Sequence, residues 1–168
     1  TAQLHIGALR NPNASGMASL GPDSGYDTIG DSVKISDAAA ILSRWLAADT
    51  LPSVILYNLN PANTNDFAAL CGSFHRDGVA GTVRYGAAWW FLDQRRGIEE
   101  QLEACSLMGL LSGLPGMITD SRSFLSFTRH EYFRRILCNW IGREVERGLL
   151  PDDEEILSGI LRAACHDN

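Results

Sequence analysis

Apolar residues along this chain gather in four short runs, separated by longer stretches with a helical period. Leu4 to Leu9, Ser53 to Leu59, Thr82 to Ala88 and Leu114 to Thr119 are each short and largely apolar. That is the pattern of strands covered on both faces in a parallel sheet. Between and after them, Ile35, Leu42, Trp45 and Leu46 make one apolar helical stripe, with Ser36 or Asp37 available as N-cap. Phe67, Leu70, Cys71 and Phe74 repeat the i, i+3, i+4, i+7 spacing, and Ile98, Leu102, Cys105 and Leu110 roughly continue it. Phe133, Ile136, Leu137, Trp140 and Ile141 form the broadest stripe. A last helix follows Pro151, where Asp152 to Glu155 crowd the positive end of its dipole.

Strand and helix alternate without a hairpin signal, which predicts right-handed βα units and an α/β fold. Four such units are half of the eight-stranded barrel, a closed fold of about 250 residues. The alternative is a small open sheet of four parallel strands, both of whose edges would be exposed and apolar. The half-barrel is the better expectation. Residues 1–168 then form one part of a larger catalytic domain. The ends of the sequence agree with that expectation: it starts at Thr1, runs almost at once into a strand, and stops at Asn168 just after a helix. Asn11 to Ser32 has no apolar period and is rich in Gly, Asn, Pro and Asp. It reads as a long functional connection over the carboxyl face.

Composition narrows the function. Hydrophobic residues are 45% and charged residues 20%, and the net charge is −6, which argues against a nucleic-acid partner. The one cationic cluster, Arg129, His130, Arg134 and Arg135, is interrupted by Glu131 and reads as a solvated or interface-pairing helix face. Cys71, Cys105, Cys138 and Cys165 are too widely spaced for a CxxC-type site and read as small buried thiols. No apolar run approaches the roughly 18 residues that span a bilayer, and no leader precedes the first strand. The expectation is a cytoplasmic protein with no membrane partner.

Polar and aromatic groups fall where the strands end, the place where barrels keep their chemistry. His5 and Arg10 end or follow the first run, Asn58 and Asn60 the second. Trp89, Trp90, Asp93 and Gln94 follow the third, and Asp120 and Arg122 the fourth. A lone His5 between Leu4 and Ile6 is ordinarily a satisfied core histidine. Its place on the first strand, with Asp120 on the last, tilts it toward the active site. Arg10 is either a surface residue or a bidentate carboxylate binder. In an extended segment the adjacent Trp89 and Trp90 point to opposite sides, one into the core and the other available as a pocket wall. Asp93 is ambiguous, because an acidic residue opening a helix is a routine cap. Asp120 can ligate a metal or take a proton, and Arg122 can clamp an anionic group. A structural ion pair is the plainer alternative. As residues i and i+2 at a strand end, both are expected to project to the barrel mouth.

The sequence resembles the uronate isomerases, sugar-acid isomerases of the amidohydrolase superfamily. The resemblance runs through Leu4-His5-Ile6-Gly7-Ala8, Arg10-Asn11, Gly21 to Asp31, Ile55-Leu56-Tyr57, Asn60-Pro61 and Ala80-Gly81. It continues through Tyr85-Gly86, Trp89-Trp90-Phe91, Asp93-Gln94 and Met108 to Leu111, and is strongest from Thr119 to Asn139. It implies the C-terminal half of a (β/α)8 barrel, strands 5 to 8 with the terminal helices. It also implies an aldose–ketose isomerase that interconverts D-glucuronate with D-fructuronate and D-galacturonate with D-tagaturonate. By resemblance, His5 matches the histidine of the fifth strand. Asp120 matches a metal ligand or proton-transfer group at the end of the eighth, and Arg122 a substrate-contacting arginine. Arg10 and one of Trp89 or Trp90 match pocket-lining positions. A divalent metal, zinc, is the implied cofactor. The implied partners are a hexuronate, the missing N-terminal half of the barrel, and further copies in a homo-oligomer.

The chain departs from the family in having Leu92 where Asn is usual, and in its loop from Asn11 to Gly16. The paired His-x-His ligands of the first strand have no counterpart, because His75, His130 and His166 stand isolated on expected helices. A metal-dependent hydrolase of the same superfamily, or a non-catalytic fold fragment, is the alternative reading.

Overall fold

The computed structural model describes residues 1–76 and 81–167. Ala80, part of the resemblance above, and the terminal Asn168 lie outside the described residues. In chain order the elements begin with β1 (Ala2–Ile6), β2 (Ala8–Leu9), α1 (Ala14–Leu20), β3 (Thr28–Ile29), α2 (Ile35–Ala47) and β4 (Val54–Asn58). They continue with α3 (Thr64–Gly72), β5 (Val83–Tyr85), α4 (Arg95–Met108), α5 (Arg129–Glu146) and α6 (Glu154–Arg162). The fold is α/β, and its main sheet is parallel in the order β1-β4-β5.

Register explains which side chains see the helices. Leu4 pairs with Leu56 and Leu56 with Tyr85, and these residues join Val54 and Val83 in the main core. Phe67, Ile98, Leu102 and Leu137 meet them from α3, α4 and α5 and are almost wholly buried. Each such side chain contributes about 1.5–3 kcal/mol of burial. The opposite face carries Gln3, His5, Ile55 and Tyr57, and His5 pairs with Tyr57 across the ladder. A second, smaller cluster of Tyr57, Leu59, Ala87 and Trp89 lies there, with Ile118 and Trp90 against it. β1 is therefore covered on one face only: Gln3 and His5 are exposed.

Three expectations change. The first strand stops at Ile6 rather than Leu9, because Gly7 takes φ +94° and its carbonyl accepts from Gly30 N at 2.8 Å. The next two residues pair antiparallel with β3, Ala8 opposite Ile29. The long connection is thus built rather than structureless, and it also holds α1. That helix escapes a periodicity reading because it is short and Gly/Ser-containing. Asn13 caps it at 3.0 Å, and Gly16 packs where a Cβ would meet the Tyr26 ring at 2.6 Å.

The fourth run, Leu114 to Thr119, forms no strand among the described residues, so the sheet has three parallel strands and not four. Pro115 has no N–H to give a ladder, and Gly116 takes φ +74° with Ala164 O only 1.9 Å from where a Cβ would sit. The run is held by packing instead: Leu114 and Met117 are buried in the main core, and Ile118 lies against the second cluster.

Smaller corrections concern caps and cysteines. Lys34, not Ser36 or Asp37, precedes α2, with no side-chain cap bond. Cys71 and Cys105 are buried as expected, Cys165 is half-buried, and Cys138 is exposed. His75 lies just past α3 rather than on it.

Candidate active site

Asp120 stands at the centre of a cluster beside the carboxyl ends of β1 and β4. Trp89 Nε1 donates to its Oδ2 at 2.7 Å and Trp90 Nε1 donates to the same oxygen at 2.9 Å. Both bonds fall on Oδ2, so Oδ1 takes part in neither. The two indoles therefore do not point to opposite sides. The reason is local: Trp90 begins a 3₁₀ turn with φ +49°, which breaks the extended alternation. Trp89 is buried at 4% exposure and Trp90 is half-buried. The indole rings lie 4.6 Å apart, tilted by 42°.

Around this pair the other strand-end residues assemble. His5 stacks on Tyr57 at 4.4 Å and meets Trp89 edge-on at 4.8 Å. Tyr57 donates its hydroxyl to Gln3 Oε1 at 3.0 Å. Burial raises the Tyr57 pKa, and the negative charge of Asp120 raises it further. The carboxylate is thus felt across the open face. Arg10 lies over the Trp90 ring, 4.6 Å from guanidinium carbon to centroid. It also pairs with Asp27 at 2.5 Å and, more loosely, with Asp23 at 3.4 Å. The backbone N–H of Asn11, and then Arg10, hold the Asp27 carboxyl below its usual range.

Arg122 does not join Asp120. It is exposed, and among the described residues it makes no hydrogen bond or ion pair. The expected i, i+2 alternation fails because Asp120 itself takes φ +44°, so the chain turns there instead of running on extended. Two further candidates are structural. Asn58, 4% exposed, donates to Asn60 O at 2.9 Å and accepts from the Tyr85 hydroxyl, while Asn60 donates to Gly30 O at 2.8 Å. Gln94, not Asp93, caps α4. Asp93 is instead held by α5: Arg129 Nη1 pairs with its Oδ2 at 3.1 Å, and the Tyr132 hydroxyl donates to its Oδ1. Arg129, still 40% exposed, thus pairs its charge with a partner within the chain.

Periodicity missed Tyr57, Asp27, Arg129 and Tyr132. Tyr57 was recoverable, since it shares β4 with Ile55 at the i, i+2 spacing of one sheet face. The others join elements 17 to 39 residues apart in sequence, and no local pattern carries that information.

As for a metal, no group of three or more His, Cys, Asp or Glu able to hold one occurs among the described residues. Asp120 offers one carboxylate, and structural or catalytic zinc sites take at least three protein ligands. The residues present do not make such a centre on their own.

What these features define is an α/β protein with an aromatic–carboxylate site at the carboxyl ends of parallel strands. The chain belongs to the glucuronate isomerase family, whose model matches residues 1–168. It is 51% identical over 168 residues to the uronate isomerase of Opitutus terrae and 48% identical over 166 residues to that of Histophilus somni. It covers 100% and 99% of itself in these matches but about 36% of each relative's length. Among solved structures it superposes on the uronate isomerase of Thermotoga maritima with TM-score 0.86 at 35% identity, covering 98% of this chain and 35% of the other. The glucuronate isomerase of Caulobacter crescentus gives 0.83 at 27%, covering 96% and 33%.

Proposed function

We propose that this chain supplies one side of the active site of a uronate isomerase, an aldose–ketose isomerase acting on hexuronates such as D-glucuronate and D-galacturonate. The observation that carries the reading is the convergence of two indole N–H groups on one oxygen of Asp120, beside His5, in a chain matched end to end by the family. In the reaction a base removes the proton from C2 of the open-chain sugar, an enediol forms, and the proton is returned at C1. The indoles fix the Asp120 carboxylate while leaving Oδ1 to carry that proton, the arrangement a positioned general base needs. His5, anchored by Tyr57 and Trp89, holds a hydroxyl or aldehyde oxygen. Arg122, free of an ion pair among the described residues, is the cation available for developing oxyanion charge. Arg10 is engaged with Asp23 and Asp27, so it serves as a wall with Trp90 rather than as the primary anion clamp. A divalent metal, zinc by resemblance, is the alternative role for Asp120: its carboxylate would then be a ligand instead of the base, and the other ligands would come from outside these 168 residues.

The same proposal makes the chain half of a (β/α)8 barrel, in the cytoplasm and as part of a homo-oligomer. The one-sided cover of β1 supports the half-barrel, as do the outer edges of β1 and β5, which no strand of the described residues pairs, and the exposed Phe124, Leu125 and Phe127. No helix of the described residues is long and apolar enough to cross a membrane. The test is a substrate screen on the full-length protein that carries these residues, offering uronates against amides and lactones. Ketose formation from a uronate is expected. Turnover confined to amides or lactones would replace the isomerase with a metal-dependent hydrolase.

A further inference from the structure

Two side-chain-bearing residues of the site hold left-handed backbone, Trp90 at φ +49° and Asp120 at φ +44°. For a bulky residue such as Trp this is a genuine outlier, of a kind that persists only where the surroundings over-determine it. One nitrogen, Arg129 Nη1, touches both turns. It donates to Thr119 O at 2.9 Å, immediately before Asp120, and pairs with Asp93 Oδ2 at 3.1 Å, three residues after Trp90. The contacts close a ring: Trp90 to Asp120 through the indole, Asp120 back to Thr119, Thr119 to Arg129, Arg129 to Asp93, and Asp93 along the 3₁₀ turn to Trp90. Tyr132, one turn along α5, donates to the other Asp93 oxygen, and the Asp93 side chain is only 6% exposed. Asp93 does not cap the helix it precedes, and its carboxylate instead ties the turn after Trp90 to α5 through both oxygens.

We infer that Arg129 and Asp93 form a positioning clamp that holds Trp90 and Asp120 in their strained turns and so fixes the Asp120 carboxylate for its chemistry. Neither residue touches the reacting atoms. The inference rests on the isomerase reading for its consequence, but its geometry can be measured without any substrate. Two indoles 4.6 Å apart with tilted planes should couple their transitions, and the circular-dichroism couplet expected from them is assignable by its loss in Trp90→Phe.

In the full-length protein, Arg129→Gln should reduce the couplet toward the Trp90→Phe level, and Asp93→Asn should at least halve it. On a uronate, kcat should fall about 10- to 100-fold with KM nearly unchanged, the scale for a misplaced rather than missing group. Asp93→Asn keeps the size of the side chain and an acceptor for Tyr132, so it decides the matter if Arg129→Gln does not fold. A folded Asp93→Asn or Arg129→Gln protein with the wild-type couplet overturns the clamp. Loss of the couplet in a protein that never turned over uronates supports the clamp and removes the isomerase reading instead.

Discussion

Replacing Asp120 by Asn and by Ala separates its chemistry from its structural role, because of where the two indole bonds land. Both fall on Oδ2, so an asparagine can turn its one carbonyl oxygen to both N–H groups and place its amide where Oδ1 was. Asp120→Asn should therefore keep the Trp89–Trp90 geometry and lose mainly the extra strength of a charged acceptor, about 1 kcal/mol. What it cannot do is accept a proton, and kcat should fall at least ~100-fold, the contribution of a positioned acid–base group. Asp120→Ala leaves both indole N–H groups without their acceptor. A hydrogen bond to a charged group contributes about 1.5–3 kcal/mol. Trp89 is buried, whereas Trp90 and Asp120 are open to water, so the combined loss should be about 2–4 kcal/mol. Denaturant unfolding of the full-length variants, with ketose formation as the activity readout, measures both quantities. Equal stability losses in Asn and Ala would refute the two-indole argument. Near-normal turnover in Asp120→Asn would refute the base.

Three further outcomes follow from the same structure. Burial pushes the Cys71 and Cys105 thiols up to about 12, so at neutral pH a thiol reagent should modify the exposed Cys138 first and reach those two only on unfolding; prompt labelling of either in native protein would contradict the packing. Asp27 is held below its ordinary pKa, so its contribution to stability is present above the unfolded value of 3.8 and is lost as pH falls through the depressed folded value. The difference in melting temperature between wild type and Asp27→Asn should then shrink in acid, and a difference constant with pH would sink the assignment. The 168 residues expressed alone should self-associate through the free edges of β1 and β5; light scattering showing a cooperatively melting monomer at tens of micromolar would mean the sheet is self-sufficient.

Periodicity located most helices and three of the four predicted strands, because burying one stripe against a sheet is a local, repetitive demand. It failed where single residues override the pattern. Leu114 to Thr119 is as apolar as β4, yet Pro115 and Gly116 remove it from the ladder and pack it against Ala164. Trp89 and Trp90 read as facing apart until one left-handed residue turns both indoles to the same oxygen. Asp120, His5, Arg10 and the two tryptophans were legible as strand-end residues, and their convergence in one cluster came only with the fold. Arg129 looked like one more charge on an amphipathic helix. What distinguishes it is Asp93, 36 residues away in sequence, and charge patterning on α5 carries no trace of that partner.

A graft decides whether these residues build one side of a uronate isomerase site. Residues 1–168 would replace the matching segment of the Opitutus terrae uronate isomerase, to which they are 51% identical, and the chimera would be assayed for ketose formation from D-glucuronate. Turnover within about tenfold of the parent is expected, abolished again by Asp120→Asn in the chimera. A folded chimera without isomerase activity, or one indifferent to Asp120→Asn, would contradict it.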